Sequence, residues 1–172
     1  MKRIVAAGVI LIVLAIICGT IAGWLLAHPV QTRIGNPPGD FNAEPVTFAS
    51  DSGANVRGWW CPVQNAKAAV LLLPGIRANR LSMVERARFL RHAGYSVLLI
   101  DFQATGESTG DHITFGWKES RDVIAGINFV RQTNPTVPVA IIGSSLGGVA
   151  ALLATPPLKI DALVLEEGLS ND

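Results

Sequence analysis

Apolar residues are spread unevenly along this chain, and the change in their pattern divides it into three parts. Ile4 to Ala27 carries no charged residue and has only Thr20 as a clear polar interruption. As a helix this run rises roughly 36 Å, enough to cross the hydrocarbon core of a bilayer with some tilt. Its many Ile, Leu and Val residues, at a few tenths of a kcal/mol each, favour insertion by roughly 4–8 kcal/mol. Residues 1–27 therefore predict a transmembrane anchor, with a cleaved signal sequence as the alternative. Residues 28–43 are polar and broken by Pro29, Pro37, Pro38 and Gly39, which predicts a linker lifting the remainder off the bilayer.

From residue 44 onward, short apolar runs alternate with amphipathic ones. Glu44–Ala49 and Asn55–Val63 read as strands joined by a hairpin turn over Ser50–Ala54. Ala68–Leu73, Tyr95–Ile100, Val137–Ile142 and Ile160–Leu165 are apolar throughout, as expected of strands buried on both faces. Between them, Ser82–Arg91 and Trp117–Gln132 have helical spacing, and a third helix follows Ser145. Thr155-Pro156-Pro157 breaks the chain before the last strand. This alternation predicts an α/β domain over residues 44–172, with a mostly parallel sheet covered by helices on both faces. Trp59 and Trp60 are adjacent on a strand and so face opposite sides, predicting one core and one half-exposed indole.

Composition refines this picture in a few places. A net charge of +1 leaves no electrostatic footprint for nucleic acid. Lys2 and Arg3 favour a cytoplasmic N-terminus, which makes the protein single-pass with its C-terminal domain extracytoplasmic. Cys18 lies in the apolar segment and Cys61 in the domain, so both read as packing residues rather than a disulfide. No metal-ligand spacing occurs, and no cofactor is expected.

The candidate chemistry lies at Gly143-Ser144-Ser145-Leu146-Gly147, where a β-branched apolar run turns into a helix. A serine that exposes its hydroxyl at the end of a strand needs a tight, strained turn, and side chains two residues either side would collide. Gly143 and Gly147 meet that need around Ser145, while Ser144 has Ile142 and Leu146 at the same spacing. The helix beyond directs its N–H groups and positive dipole end at the place where an oxyanion would form. The pattern is that of a nucleophile elbow.

With two further motifs, residues 44–165 resemble the first two-thirds of the α/β-hydrolase fold. Leu72-Leu73-Pro74-Gly75-Ile76 is similar to that family's oxyanion loop, with Pro74 where histidine is usual. Asp101 through Ser108 resembles its Asp-x-x-x-x-Gly-x-Ser loop, with Thr105 where histidine is common. Ile113 through Asp122 resembles the helix start of membrane-anchored bacterial members near the serine aminopeptidase and prolyl oligopeptidase branch. The resemblance implies Ser145 as nucleophile of ester or amide hydrolysis through an acyl-enzyme. It also implies oxyanion donors at the Ile76 and Leu146 N–H groups, and a small ester or peptide-like substrate. Asp101 and Ser108 are expected to pin their loop, and Glu119, Arg121 and Asp122 to form a solvated helix face. Arg77 is expected on the loop surface.

The family order is serine, then acid, then histidine, and no histidine follows Ser145. His28 stands at the membrane exit and His92 on the far rim, which leaves His112 as the one rescue base. Glu166 and Glu167 follow the last strand, but an acid without an imidazole does not activate a serine. The expectation is thus a serine hydrolase by ancestry, incomplete at its C-terminus and weak or inactive as the chain stands. The alternatives are a non-catalytic membrane-anchored assembly protein and one half of a hydrolase completed by another chain. Self-association through the exposed strand 160–165 is also expected, because nothing charged blunts pairing along it.

Overall fold

The structure, a computed structural model, describes residues 2–40 and 42–167. Its first element, α1 (Lys2–Ala27), is long and apolar enough over residues 8–27 to cross a membrane, and none of that stretch is buried. A two-residue strand β1 (Val30–Gln31) follows, then the hairpin β2 (Glu44–Ala49) and β3 (Asn55–Cys61). The remaining order is β4 (Ala69–Leu73), α2 (Val84–His92), β5 (Ser96–Ile100), β6 (Thr105–Gly106), α3 (Glu119–Thr133), β7 (Val139–Ser144), α4 (Leu146–Leu152) and β8 (Ala162–Glu166). A 3₁₀ turn, Arg80–Met83, leads into α2. The expected elements form, with boundaries shifted by one or two residues.

Six strands make one sheet in the order β2-β3-β5-β4-β7-β8. β3 runs antiparallel to both β2 and β5, and the four strands from β5 to β8 are parallel. β4 is central because Ala69-Val70-Leu71-Leu72-Leu73 is apolar on both faces and fully buried. One face packs with Met83, Val84, Ala87 and Leu90 around α2, and the other with Val123, Ile127 and Val130 of α3 and Ala150 of α4. β8 has β7 as its single neighbour among the described residues, and Val164 and Leu165 on it are exposed.

Three expectations are corrected here. Trp59 and Trp60 are both buried, because β3 is an interior strand with a packed layer on each side. Trp59 joins the cluster of α2, while Trp60 meets Phe129 of α3 edge-on at 5.9 Å between ring centroids. Residues 28–43 do not stand off as a free linker. Val30–Gln31 pairs in parallel with Thr105–Gly106, and Thr32 N–H donates to the Gly106 carbonyl at 2.8 Å. Ile34 and Gly35 N–H groups both donate to Glu107 Oε1, at 3.0 and 2.9 Å. Unpaired N–H groups and the apolar side chains of Val30 and Ile34 gain more by lying on the domain than by staying in water. The third correction concerns α3. Glu119 and Asp122 are fully buried, and only Arg121 of that trio reaches the surface.

Candidate active site

The loops that follow β4, β5 and β7 meet along one rim of the sheet. Ser145 sits between the last residue of β7 and the first of α4 with φ 46° and ψ −109°. A non-glycine residue held there stores strain of about 1–3 kcal/mol, and the surrounding turn has to impose it. Glycines on either side make the turn sterically feasible. A Cβ on Gly143 would fall 2.6 Å from the Gly148 nitrogen, and one on Gly147 would fall 2.5 Å from the Leu73 carbonyl oxygen. The Ser145 N–H donates to the Glu166 carbonyl at 2.9 Å, which ties the turn to β8. Its own carbonyl accepts from the N–H groups of Gly148 and Val149. These bonds leave the hydroxyl as the free end of the turn, and Ser145 is exposed.

Ser145 opens into a cavity of about 440 Å³ that it shares with Gly143, Gly148, Val149, Leu152, Leu165, Glu166 and Glu167. The loop after β4 comes alongside, since a Cβ on Gly75 would be 3.7 Å from Ser145 Cβ. That loop is a tight turn closed by Ala78 N–H on the Gly75 carbonyl at 3.2 Å, with Arg77 at φ 59°. The Ile76 N–H has no acceptor among the described residues. Leu146 N–H belongs to the first turn of α4, whose leading donors have no intrahelical acceptor. The sequence-derived oxyanion pair therefore flanks the serine from two different elements.

Histidines are placed elsewhere. The His28 carbonyl accepts from Arg77 Nη1, and its ring lies 4.9 Å from that of Trp24. His92 ends α2 and lines a separate cavity with Asp40, Arg88 and Arg91. His112 is exposed on the loop before α3, and its carbonyl accepts from Gln103 Nε2 at 2.6 Å. None of the three lines the cavity at Ser145. Glu166 is engaged with Arg86 Nε at 2.6 Å.

Two buried polar networks hold the rim rigid. Asp101, fully buried at the end of β5, accepts from the Arg80 N–H at 2.7 Å and from Arg80 Nη1 at 2.5 Å. It also accepts from Glu107 N–H at 2.9 Å, while Ser108 Oγ donates to the Asp101 carbonyl at 2.7 Å. The expectation that Asp101 and Ser108 pin their loop is met. Arg80 adds a second carboxylate, Glu107, and lies over the Trp59 ring at 4.7 Å. Burial raises the Asp101 carboxyl above its ordinary range, and the Arg80 charge opposes the rise. Burial also acts on Glu107, but the Gly35 and Ile34 N–H groups and Arg80 outweigh it and hold the carboxyl down at about 2.

The second network explains the correction in α3. Glu119 accepts from the N–H of Thr114, the Thr114 hydroxyl, the N–H of Gly116 and Gln103 Nε2. Those donors outweigh burial and leave its carboxyl below the ordinary range. Asp122 accepts from Gln103 N–H at 2.8 Å, and burial pushes its carboxyl up to about 6. Sequence reasoning missed Arg80, Gln103 and these two acids as organisers of the rim. The signal was present: the apolar stripe Val130, Gly126–Ile127, Val123 continues at helical spacing through Asp122 and Glu119.

A rim with a strained serine elbow, a glycine loop beside it and a parallel sheet beneath defines an α/β hydrolase. Solved structures bear this out. An esterase of Pyrococcus furiosus superposes with a TM-score of 0.66 at 29% identity, covering 73% of this chain and 51% of the esterase. A serine hydrolase of Xanthomonas campestris, described as lacking a lid, superposes with a TM-score of 0.63 at 22% identity over 76% of this chain and 63% of its own, a likeness of fold. The model of the serine aminopeptidase S33 family matches residues 64–166, and the chain belongs to that family. Among similar proteins, a monoglyceride lipase homolog of monkeypox virus is 30% identical over 118 residues, 66% of this chain and 42% of the viral protein. The monoglyceride lipase of Rattus norvegicus is 28% identical over 111 residues, 62% of this chain and 37% of its own length. The chain thus spans about two fifths of these lipases and half of the archaeal esterase.

Proposed function

We propose that this protein is a membrane-anchored serine hydrolase acting on carboxylic esters through Ser145. The observation that carries the reading is the exposed serine at φ 46°, ψ −109°, with the Gly75–Ile76 loop at its side. Attack of the Ser145 oxygen on an acyl carbonyl forms a carbon–oxygen bond and moves the carbonyl electron pair onto oxygen. The Ile76 and Leu146 N–H groups donate to that developing oxyanion. Collapse expels the alcohol, which takes up the proton the base removed from Ser145, and leaves an acyl-serine, which water then cleaves to the acid. The lipase and esterase names among the relatives support an ester of an acyl chain as substrate, and amide hydrolysis uses the same steps. The serine proton needs an acceptor, and among the described residues the cavity offers Glu166 and Glu167 but no imidazole. A base therefore has to reach Ser145 from outside this cavity's described lining, and the His112 loop and a second chain are two sources of one.

In membranes of cells expressing the chain, a fluorophosphonate probe should label the protein, and a Ser145→Ala variant should not label. Equal labelling of both forms would remove Ser145 as nucleophile. No labelling of either would favour the non-catalytic assembly reading, for which the observation is the cavity without histidine.

A further inference from the structure

The C-terminal end of α1 is bonded directly to the catalytic rim. Ile113 N–H donates to the Ala27 carbonyl at 2.8 Å, and Arg77 Nη1 donates to the Leu25 carbonyl at 2.7 Å. These are last-turn carbonyls, which a helix leaves without intrahelical partners. One clasp comes from the residue next to Ile76, the other from the loop before α3. The chain beyond α1 is then fastened to the same rim by β1 pairing with β6 and by Glu107. A domain held this way cannot swing on a flexible tether, so the direction of α1 sets which surface faces the membrane.

That surface carries exposed aromatics. Phe115 and Trp117 are 48% and 67% exposed, and Trp24 on the last turn of α1 is 63% exposed. Consecutive Cα atoms are at most about 3.8 Å apart, so Phe115 and Trp117 lie within roughly 8 and 15 Å of the Ile113–Ala27 bond. Trp24 and Trp117, whose indoles have one polar edge, favour the headgroup layer where a membrane helix ends, and the apolar ring of Phe115 suits the acyl boundary just beneath it. Between Phe115 and Trp117, Gly116 packs so closely on α4 that a Cβ there would meet Val149 at 2.9 Å. The aromatic loop and the helix of the serine elbow are thus one rigid surface.

We propose that the rim bearing Ser145 lies against the bilayer surface, with Phe115 and Trp117 seated among the lipid headgroups and Arg77 clasping α1 to the oxyanion loop. The inference rests on the reading of α1 as a membrane span. Five residues of β4 separate the two edges of the sheet by roughly 16 Å, so the opposite edge stands clear of the headgroups. A substrate that partitions into the bilayer would reach Ser145 without crossing bulk water.

The full chain in phosphatidylcholine vesicles tests this. In a Cys18→Ala background, the buried Cys61, whose thiol burial pushes up to about 12, stays unreactive towards a maleimide fluorophore. Lys118→Cys then places a label on the proposed face, and Gln64→Cys places one in the exposed turn before β4. With nitroxide-headgroup phosphatidylcholine in the vesicles, the label at 118 should lose about half its emission, as expected for a group within the headgroup layer. The label at 64 should lose almost none and should be the one quenched by aqueous iodide. Equal lipid quenching at both positions, quenching at 64 alone or quenching at neither would overturn the proposal, as would failure of the chain to float with the vesicles. The measurement needs no chemistry at Ser145, so it should give the same result in a Ser145→Ala background. Its failure is therefore separate from failure of the hydrolase reading.

Discussion

At the scale of single residues, the elbow depends on the absence of two side chains. Gly147 sits where a Cβ would lie 2.5 Å from the Leu73 carbonyl oxygen, a backbone atom of the central strand that cannot move aside. Gly147→Ala should lower stability by about 1–3 kcal/mol, as overpacking does, and thermal melting of the chain would show it. Asp122 gives a pH signature. Its folded carboxyl titrates at about 6 against an ordinary value of 3.8. The folded state then binds the proton more tightly than the unfolded chain. This contribution to stability is fully present below 3.8 and is lost as pH rises through 6, a change on the order of 3 kcal/mol. Glu107 acts in the opposite sense, because a carboxyl held at about 2 contributes stability above its ordinary 4.5 that is lost as pH falls towards 2. Asp122→Asn should therefore abolish the loss between pH 4 and 6 without touching the acid limb. Urea unfolding across that range is the check.

At the scale of elements, the segment between α1 and β2 behaves as part of the domain. Glu107 Oε1 receives both the Ile34 and Gly35 N–H groups, and its other oxygen engages Arg80. Hydrogen bonds to a charged group are worth about 1.5–3 kcal/mol each, so losing this carboxylate should release the strap locally while β1 still pairs. Arg33, just before Ile34, is exposed and supplies a trypsin site. Glu107→Ala should speed tryptic cleavage after Arg33 by about tenfold or more, with cuts elsewhere unchanged. A cleavage rate equal to that of the unaltered chain would show that Glu107 does not hold the strap.

At the scale of the whole molecule, one apolar helix is joined to one α/β layer structure by the hydrogen bonds of Arg77 and Ile113 to its last carbonyls. With Lys2 and Arg3 on the cytoplasmic side, the domain is expected on the outer side of the membrane. Protease added to intact cells should then remove the domain, whereas complete protection of residues beyond His28 would reverse the orientation. The sheet itself is asymmetric. Its β2 side ends in an antiparallel hairpin whose Phe48 stacks on Phe129 of α3 at 5.3 Å between ring centroids. Its β8 side carries Val164 and Leu165 at 48% and 51% exposure, and Leu165 lines the cavity at Ser145. The serine thus lies near the less covered end of the sheet.

Local pattern decided much of this protein. Apolar runs such as Val70–Leu73 and Val97–Ile100 are satisfied best as buried strands, so the alternating fold is legible in the sequence alone. The elbow was legible for the same reason, since Gly143 and Gly147 are required by steric contacts within a few residues of Ser145. Tertiary structure decided what depends on residues far apart in the chain. The apolar stripe of α3 places Glu119 and Asp122 on its inner face, but what satisfies them there is tertiary in part, because Gln103 donates to both from the loop after β5, whose path the sheet sets. Trp59 and Trp60 both became core only once β3 gained β5 as a neighbour and a helix layer on each face. The clasp of Arg77 and Ile113 on α1 belongs to the same class. A charged loop residue and a helix's last carbonyls are each ordinary in sequence, and they meet because the unpaired carbonyls of Leu25 and Ala27 need donors that only the folded rim presents.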